Sequence, residues 1–338
     1  MIAHAGKRTL TLENRPYLLS HAAAVGKKEG EGPLGSRFDF VTRNDRMGQK
    51  SWELAESELQ RTAIDLALRK GSLRHCDLDL ILAGDLLNQC IGSFLASMHS
   101  DVPYLGQYGA CSTMAQGLAL GGVLVEAGAA ARLAVSASSH FCSAERQYRF
   151  PLAYGGQRTP TAQWTATAAG AAVLGAEGGS SVRMTHVLFG KMIELGVKDA
   201  NNMGAAMAPA ACDTLSCLLR ELGAQPTDFD CIVTGDLGRV GADLLLTLLR
   251  EDGIDLSPVY SDCGILLFGD TQDAHAGGSG CGCSAAVLCG PLLRDMHEGK
   301  IRRMIFAGTG AMMSPTSVQQ SQPIAGICHA VVLERSDA

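Results

Sequence analysis

The feature that most constrains this 338-residue chain is an internal repeat. Phe229-Asp230-Cys231-Ile232-Val233-Thr234-Gly235-Asp236-Leu237 follows the segment from Leu78 to Leu86 almost residue for residue. Gly280-Cys281-Gly282-Cys283-Ser284-Ala285 stands where Gly109 to Met114 stood, and Arg303 to Ala311 matches Arg132 to His140 after 171 residues. His329 to Glu334 answers Gly170 to Gly175. Each copy runs strand, buried helix, strand. Two copies in the same order imply two fused α/β halves with right-handed crossovers, spanning 1–180 and 181–338.

Between the repeats the elements read in a simple order. Thr9 to Leu12 begins a strand, and residues 25–35 form a glycine-rich loop. Ser51 caps an amphipathic helix that buries Leu54, Leu59, Ala63, Leu66 and Ala67 and stops at Gly71. Leu78 to Ala83 is a short buried strand, and Arg132 to His140 is another with a polar end. A polar, arginine-bearing loop over Glu145 to Arg158 follows, then a buried strand at Ala168 to Gly175. In the second half, Pro209 marks the first turn of a helix that runs through Leu222 and ends at Gly223.

Composition narrows the function. With 46% hydrophobic and 18% charged residues, the chain is a densely packed globular protein. Its net charge of −6, without a basic run, argues against nucleic acid as a partner. The 12 cysteines are scattered through apolar segments, which reads as reduced thiols in a cytosol-like compartment. No apolar h-region follows Met1, so a signal peptide is not expected, and no apolar run of about 18 residues suggests a membrane span. Peripheral attachment to a membrane stays open.

Chemistry concentrates at Gly109-Ala110-Cys111-Ser112-Thr113-Met114. The small, apolar run after it, to Glu126, reads as a buried helix with Cys111 just before its N-terminus. Free N–H groups and the helix dipole there are expected to depress the thiol pKa. Cys281 and Cys283 supply half of a tetrahedral metal site, but no second pair stands at suitable spacing, so no metal is expected. His140 and His329 read as packing histidines, and Asp85 and Asp236 as residues that close strand exits.

The Gly-Ala-Cys-Ser turn at the head of a buried helix resembles the thiolase superfamily, which includes the ketoacyl-acyl-carrier-protein synthases. The chain is similar, more specifically, to the family of stage V sporulation proteins AD. That resemblance rests on Ala83-Gly84-Asp85-Leu86-Leu87-Asn88, Gly109 to Thr113, Ala144-Glu145-Arg146-Gln147 and Tyr154-Gly155-Gly156-Gln157. Met207 to Ala211, Thr234 to Leu237, Asp262-Cys263-Gly264, Ala276 to Gly280 and Ser314-Pro315-Thr316 extend it over residues 33–334. It implies a thiolase-like fold, two duplicated halves forming a five-layered core, and a homodimer.

It also implies a ligand carrier that binds dipicolinic acid (pyridine-2,6-dicarboxylate) and takes part in its uptake into the developing spore. Such a protein would be cytoplasmic, peripheral on the inner spore membrane, beside membrane-embedded partners. Condensing enzymes use the position of Cys111 as acyl acceptor and need donors or a base from the second half. Here those positions read Gly235-Asp236 and Gly278-Ser279-Gly280-Cys281-Gly282, and no second cysteine stands near Phe306 or Ala307. The expectation is therefore binding without catalysis and without a cofactor; the alternative is a condensing or acyl-transfer enzyme acting through Cys111. For a flat dicarboxylate, the candidate contacts are Cys111, Ser112, Ser279 and Cys283 at the two helix starts, with Thr113 and Ser284 as further hydroxyls. Arg146 and Arg149 are the candidate carboxylate forks, and Asp262 is the acid to test if calcium accompanies the ligand.

Overall fold

A computed structural model describes residues 2–148 and 158–336. Five strands form the central sheet of the first half, with shorter strands at its margins: β1 (Tyr17–Val25), β2 (Leu80–Gly84), β3 (Tyr104–Gly106), β4 (Arg132–Ser139) and β5 (Ala168–Gly175). Five more build the second: β6 (Val182–Leu188), β7 (Cys231–Thr234), β8 (Tyr260–Asp262), β9 (Arg303–Met312) and β10 (Ala325–Arg335). Spatial order is β1-β5-β4-β2-β3 in one half and β6-β10-β9-β7-β8 in the other. In each, the last strand in sequence runs antiparallel to both neighbours while the three strands on its far side, β4-β2-β3 and β9-β7-β8, are parallel to one another. The halves meet along β6, where Arg183 pairs with Tyr17 of β1 and His186 to Leu188 pair with a short strand at Thr9–Leu12.

The repeat extends to individual hydrogen bonds. Asp79 Oδ2 accepts from the backbone N–H groups of Ala131 and Arg132, at 2.7 and 2.9 Å. Asp230 Oδ2 accepts from Arg302 and Arg303 at the same two distances. Each aspartate thereby ties the entry of one parallel strand to the entry of the next, satisfying donors that would otherwise be lost to the ladder.

Helices fill the remaining layers: α1 (Trp52–Lys70), α2 (Thr113–Glu126), α3 (Phe141–Tyr148), α4 (Met203–Leu222), α5 (Gly238–Glu251), α6 (Cys263–Leu267) and α7 (Cys281–Val287). The outer helix α1 packs on β1, β5 and β4, while α4 covers β10 and β9. Between the sheets lie α2, touching strands of both halves, and α7, set against β5 and β4. The layering is helix, sheet, helix, sheet, helix. α7 is buried on every side and is apolar or small throughout, while α2 leaves only the stripe of Gln116, Leu120, Val123 and Leu124 half-buried; Met114, Ala115, Leu118 and Ala285 are fully buried. Each large apolar side chain so enclosed contributes about 1.5–3 kcal/mol.

Local signals in the sequence are realised at several ends. Ser51 Oγ accepts from Leu54 N–H at 3.2 Å, and Gly71 closes α1. Gly223 ends α4 in the left-handed region at φ 61°. Two expectations are corrected. Helix α4 begins at Met203, capped by Asn202, so Pro209 lies inside it and not in its first turn. A buried alanine- and methionine-rich face packed on β10 holds that earlier stretch helical despite the proline. The glycine-rich loop contains a short helical turn at Lys27–Gly30.

Candidate functional site

The site is built on the turn that leads into α2. Ala110 adopts φ 48°, an uncommon conformation for a residue with a side chain. The turn is locked by its own hydroxyls: Ser112 Oγ donates to Gly109 O at 2.6 Å, and Thr113 Oγ1 donates to Ala110 O at 2.7 Å. Strand β9 crosses directly over it. A Cβ at Gly310 would stand 2.6 Å from Gly109 O, and one at Gly308 would stand 2.5 Å from the Ala115 Cβ. Glycine at both positions lets the second half approach the Cys111 turn of the first.

What the second half brings to Cys111 is a carboxyl group. Asp236, just beyond β7, is fully buried. Its Oδ2 accepts from Gly280 N–H at 2.9 Å and from Ser279 Oγ at 3.2 Å, and its Oδ1 accepts from Thr309 Oγ1 at 3.0 Å. Burial pushes its pKa from 3.8 up to about 7. Cys111 Sγ lies 3.9 Å from Ser279 Oγ, and its thiol is held well above its ordinary pKa by burial and by the adjacent Asp236. The expectation of a depressed thiol pKa is therefore overturned. The helix start is present, but desolvation and a facing carboxylate outweigh its dipole, whose effect is of order 1 kcal/mol.

In front of Cys111 lies a small pocket of about 40 Å³, room for about three waters. Leu86, Met203 and Met313 give it apolar walls, and Tyr108 and Tyr148 close its polar side. The two phenols hydrogen-bond each other at 3.1 Å, and Tyr148 Oη donates to Leu86 O at 2.5 Å. Glu145 and Thr165 complete that wall, with Thr165 Oγ1 donating to Glu145 Oε1 at 3.3 Å.

Of the residues singled out from sequence, Cys111 and Ser279 line this pocket together. Ser112 is fully buried with its hydroxyl occupied by Gly109 O, and Thr113 is occupied likewise. Ser284 Oγ donates within the core, to Cys111 O and Cys281 O. Cys283 is buried beneath the pocket, its sulfur 3.0 Å from where a Gly278 Cβ would stand. The second helix start also has less to offer than expected, because Gly282 N–H already donates to Ser139 Oγ and Cys283 N–H to Gly280 O. Arg146 turns away to an ion pair with Glu53 of α1, and Arg149 lies outside the described residues. Asp262 caps α6: its two oxygens accept from Thr234 Oγ1 and from the N–H groups of Leu237, Gly238 and Ile265. His140 and His329 are packing residues whose Nδ1 atoms accept from Cys142 and Gly190 N–H. Among the described residues, no group of three or more His, Cys, Asp and Glu is placed to hold a metal ion.

Tyr108, Tyr148 and Glu145 were not anticipated. A signal for the last two existed: Ala144, Glu145 and Tyr148 share one face of α3 at helical spacing, opposite in direction to Arg146.

The fold agrees with that of known proteins. Solved structures with the same architecture include 3-oxoacyl-[acyl-carrier-protein] synthase III from Aquifex aeolicus, at TM-score 0.59 and 14% identity, covering 94% of this chain and 99% of that one. A variant of OleA from Xanthomonas campestris superposes at TM-score 0.60 with 14% identity, over 95% and 98% of the two chains. These place the chain in the thiolase-like fold. The family model described as Stage V sporulation protein AD matches residues 6–334. Stage V sporulation protein AD of Bacillus subtilis is 42% identical over 331 residues, 98% of either chain. By that identity and that coverage, the chain belongs to the Stage V sporulation protein AD family.

Proposed function

We propose that the Cys111 pocket binds dipicolinic acid without turning it over, and that the protein takes part in the uptake of this ligand into the developing spore. The carrying observation is Asp236. A condensing enzyme needs hydrogen-bond donors where an acyl oxyanion forms; Asp236 instead turns both carboxyl oxygens to Gly280 N–H, Ser279 Oγ and Thr309 Oγ1 as an acceptor, and its charge, where ionised, opposes both an oxyanion and a Cys111 thiolate. Apolar walls and two phenols suit a flat aromatic ring. The described lining carries Glu145 but neither lysine nor arginine. A free dianion therefore needs its charge met from elsewhere, by Arg149, which follows Tyr148 in the chain, or by calcium arriving with the ligand.

The pocket as it stands is smaller than a ring bearing two carboxylates, so its lining side chains have to move apart to admit it. No helix among the described residues is long and apolar enough to cross a membrane. The reading is of a cytoplasmic protein, peripheral on the inner spore membrane, that hands its ligand to membrane-embedded partners, and that pairs as a homodimer. Calorimetric titration with dipicolinate, with and without calcium, on wild type and Arg149→Ala tests it. Saturable binding in either condition supports the pocket, and the variant tells which cation meets the charge. Absence of heat in all four titrations, or turnover of acyl-CoA by the wild type, would overturn it.

A further inference from the structure

Two acids are buried side by side behind the walls of the Cys111 pocket. Glu56 of α1 and Asp85, just past β2, are both 0% exposed. They face each other across Gly92, where a Cβ would stand 3.3 Å from the Glu56 Cδ and 3.3 Å from the Asp85 Cγ. Burial raises the pKa of both carboxyls, and the Asp85 charge raises that of Glu56 further. The titratable groups on the surrounding elements are Cys90, Tyr104 of β3 and Cys281 of α7, each kept protonated by its own burial. On α3, Arg146 is bound to Glu53 and so does not answer the pair.

Hydrogen-bond partners tell the two acids apart. Asp85 Oδ1 accepts from Leu87 N–H at 2.8 Å, and its Oδ2 accepts from Ser93 N–H and Ser93 Oγ, both at 2.7 Å. A backbone N–H only donates, so both Asp85 oxygens are fixed as acceptors. Glu56 meets hydroxyls alone, Ser138 Oγ at 3.2 Å and Ser143 Oγ at 2.7 Å. A hydroxyl accepts as readily as it donates, and Ser143 Oγ has a second acceptor of its own in His140 O at 3.1 Å. Glu56 can therefore donate a proton to Ser143 where Asp85 has no such outlet.

From this geometry we infer that Glu56 carries the proton and Asp85 the charge of one buried acid pair, and that loss of this proton is a pH-sensitive release for the walls of the Cys111 pocket. The turn that Asp85 holds is strained: Gln89 and Cys90 take consecutive left-handed conformations, at φ 55° and 52°. It follows directly on Leu86, one wall of the pocket. Helix α3 supplies Glu145 and Tyr148 to another wall, and it is tied to the pair through Ser143. It is tied to the turn through Gln147, whose Oε1 accepts from Asn88 N–H at 2.9 Å. When the proton leaves to solvent, two carboxylates confront each other where α1, the turn and α3 converge. In the opened, hydrated state Glu56 returns toward its ordinary 4.5, so opening becomes easier as pH climbs from there to the raised native value.

The test uses the full chain without dipicolinate, so that it stands apart from the reading of the pocket's ligand. Hydrogen exchange read by mass spectrometry is compared for wild type and Glu56→Gln at pH 6, 7 and 8, as a ratio of rates at each pH, which cancels the intrinsic pH dependence of exchange. In peptides covering 85–93 and 141–148 the ratio should rise by about tenfold per pH unit until the native pKa is passed, and it should stay level over α4. Infrared spectra at pH 7 should show a protonated carboxyl band in the wild type that Glu56→Gln removes. Asp85→Asn sets an amide against two fixed N–H donors, so it should lower the melting temperature more than Glu56→Gln does. Should Glu56→Gln fold poorly, Ser143→Ala takes its place: with the tie cut, exchange over 141–148 should be fast at pH 6 and gain little by pH 8. A level ratio over both peptides overturns the inference. So does an unchanged carboxyl band, or an Asp85→Asn protein as stable as Glu56→Gln.

Discussion

Replacing Asp236 by asparagine separates the electrostatic account of the pocket from a merely steric one. In the native state the carboxyl titrates near 7, against 3.8 when unperturbed. Between those values the native protein holds a proton that the unfolded chain has released, so stability falls as pH rises through that window. The difference is about 3 pKa units, and at about 1.4 kcal/mol per unit the charged form costs about 4 kcal/mol by pH 8. Asparagine has the same shape and no charge. Its carbonyl can take the Gly280 N–H and the Ser279 hydroxyl, and its amide can donate to Thr309 Oγ1, which accepts as readily as it donates. Urea unfolding of wild type and Asp236→Asn at pH 5, 6, 7 and 8 reads the difference, in which other titrating groups cancel. The advantage of the variant over the wild type should grow by about 2–3 kcal/mol between pH 5 and pH 8. Parallel curves at every pH would refute the claim that this carboxyl is uncompensated.

Further outcomes follow from the same geometry. Iodoacetamide at pH 7.5, followed by intact-mass and peptide mapping, should modify exposed Cys76 first and Cys111 slowly, with Asp236→Asn speeding Cys111; equal rates for Cys76 and Cys111 in the wild type would contradict the raised thiol pKa. Cys111→Ser should keep the fold and much of the dipicolinate binding, whereas Cys111→Trp should fill the pocket and abolish it; loss of binding in both, with ligand mass added to the wild type alone, would point to covalent chemistry. Gly282→Ala should destabilise by about 1–3 kcal/mol or more, because the new Cβ would stand 2.1 Å from Ala168 O and 2.6 Å from Ser139 N, and urea midpoints unchanged from wild type would show that β4 and β5 can yield there.

Much of this protein is legible in its sequence, and the reason is range. The repeat from Arg132 to Arg303, the caps at Ser51 and Gly223, and the largely buried α2 are written in residues adjacent in the chain or spaced by one helical turn. Local backbone preference and hydrophobic period need nothing more. The position of Cys111 at a helix start, and the aspartate where a condensing enzyme needs a donor, belong to the same class. What the tertiary structure alone decided is the chemistry of those residues. Asp236 meets Cys111 across 125 positions of chain because the β9 glycines let the halves close, and that contact reverses the expected direction of the thiol pKa. Arg146 could have faced a ligand, and Glu53 on α1 drew it away; Ser112 could have donated to one, and Gly109 O already held its proton. Desolvation and hydrogen-bond competition depend on every group within a few ångströms, and those neighbours exist only once the two sheets have packed around α2 and α7.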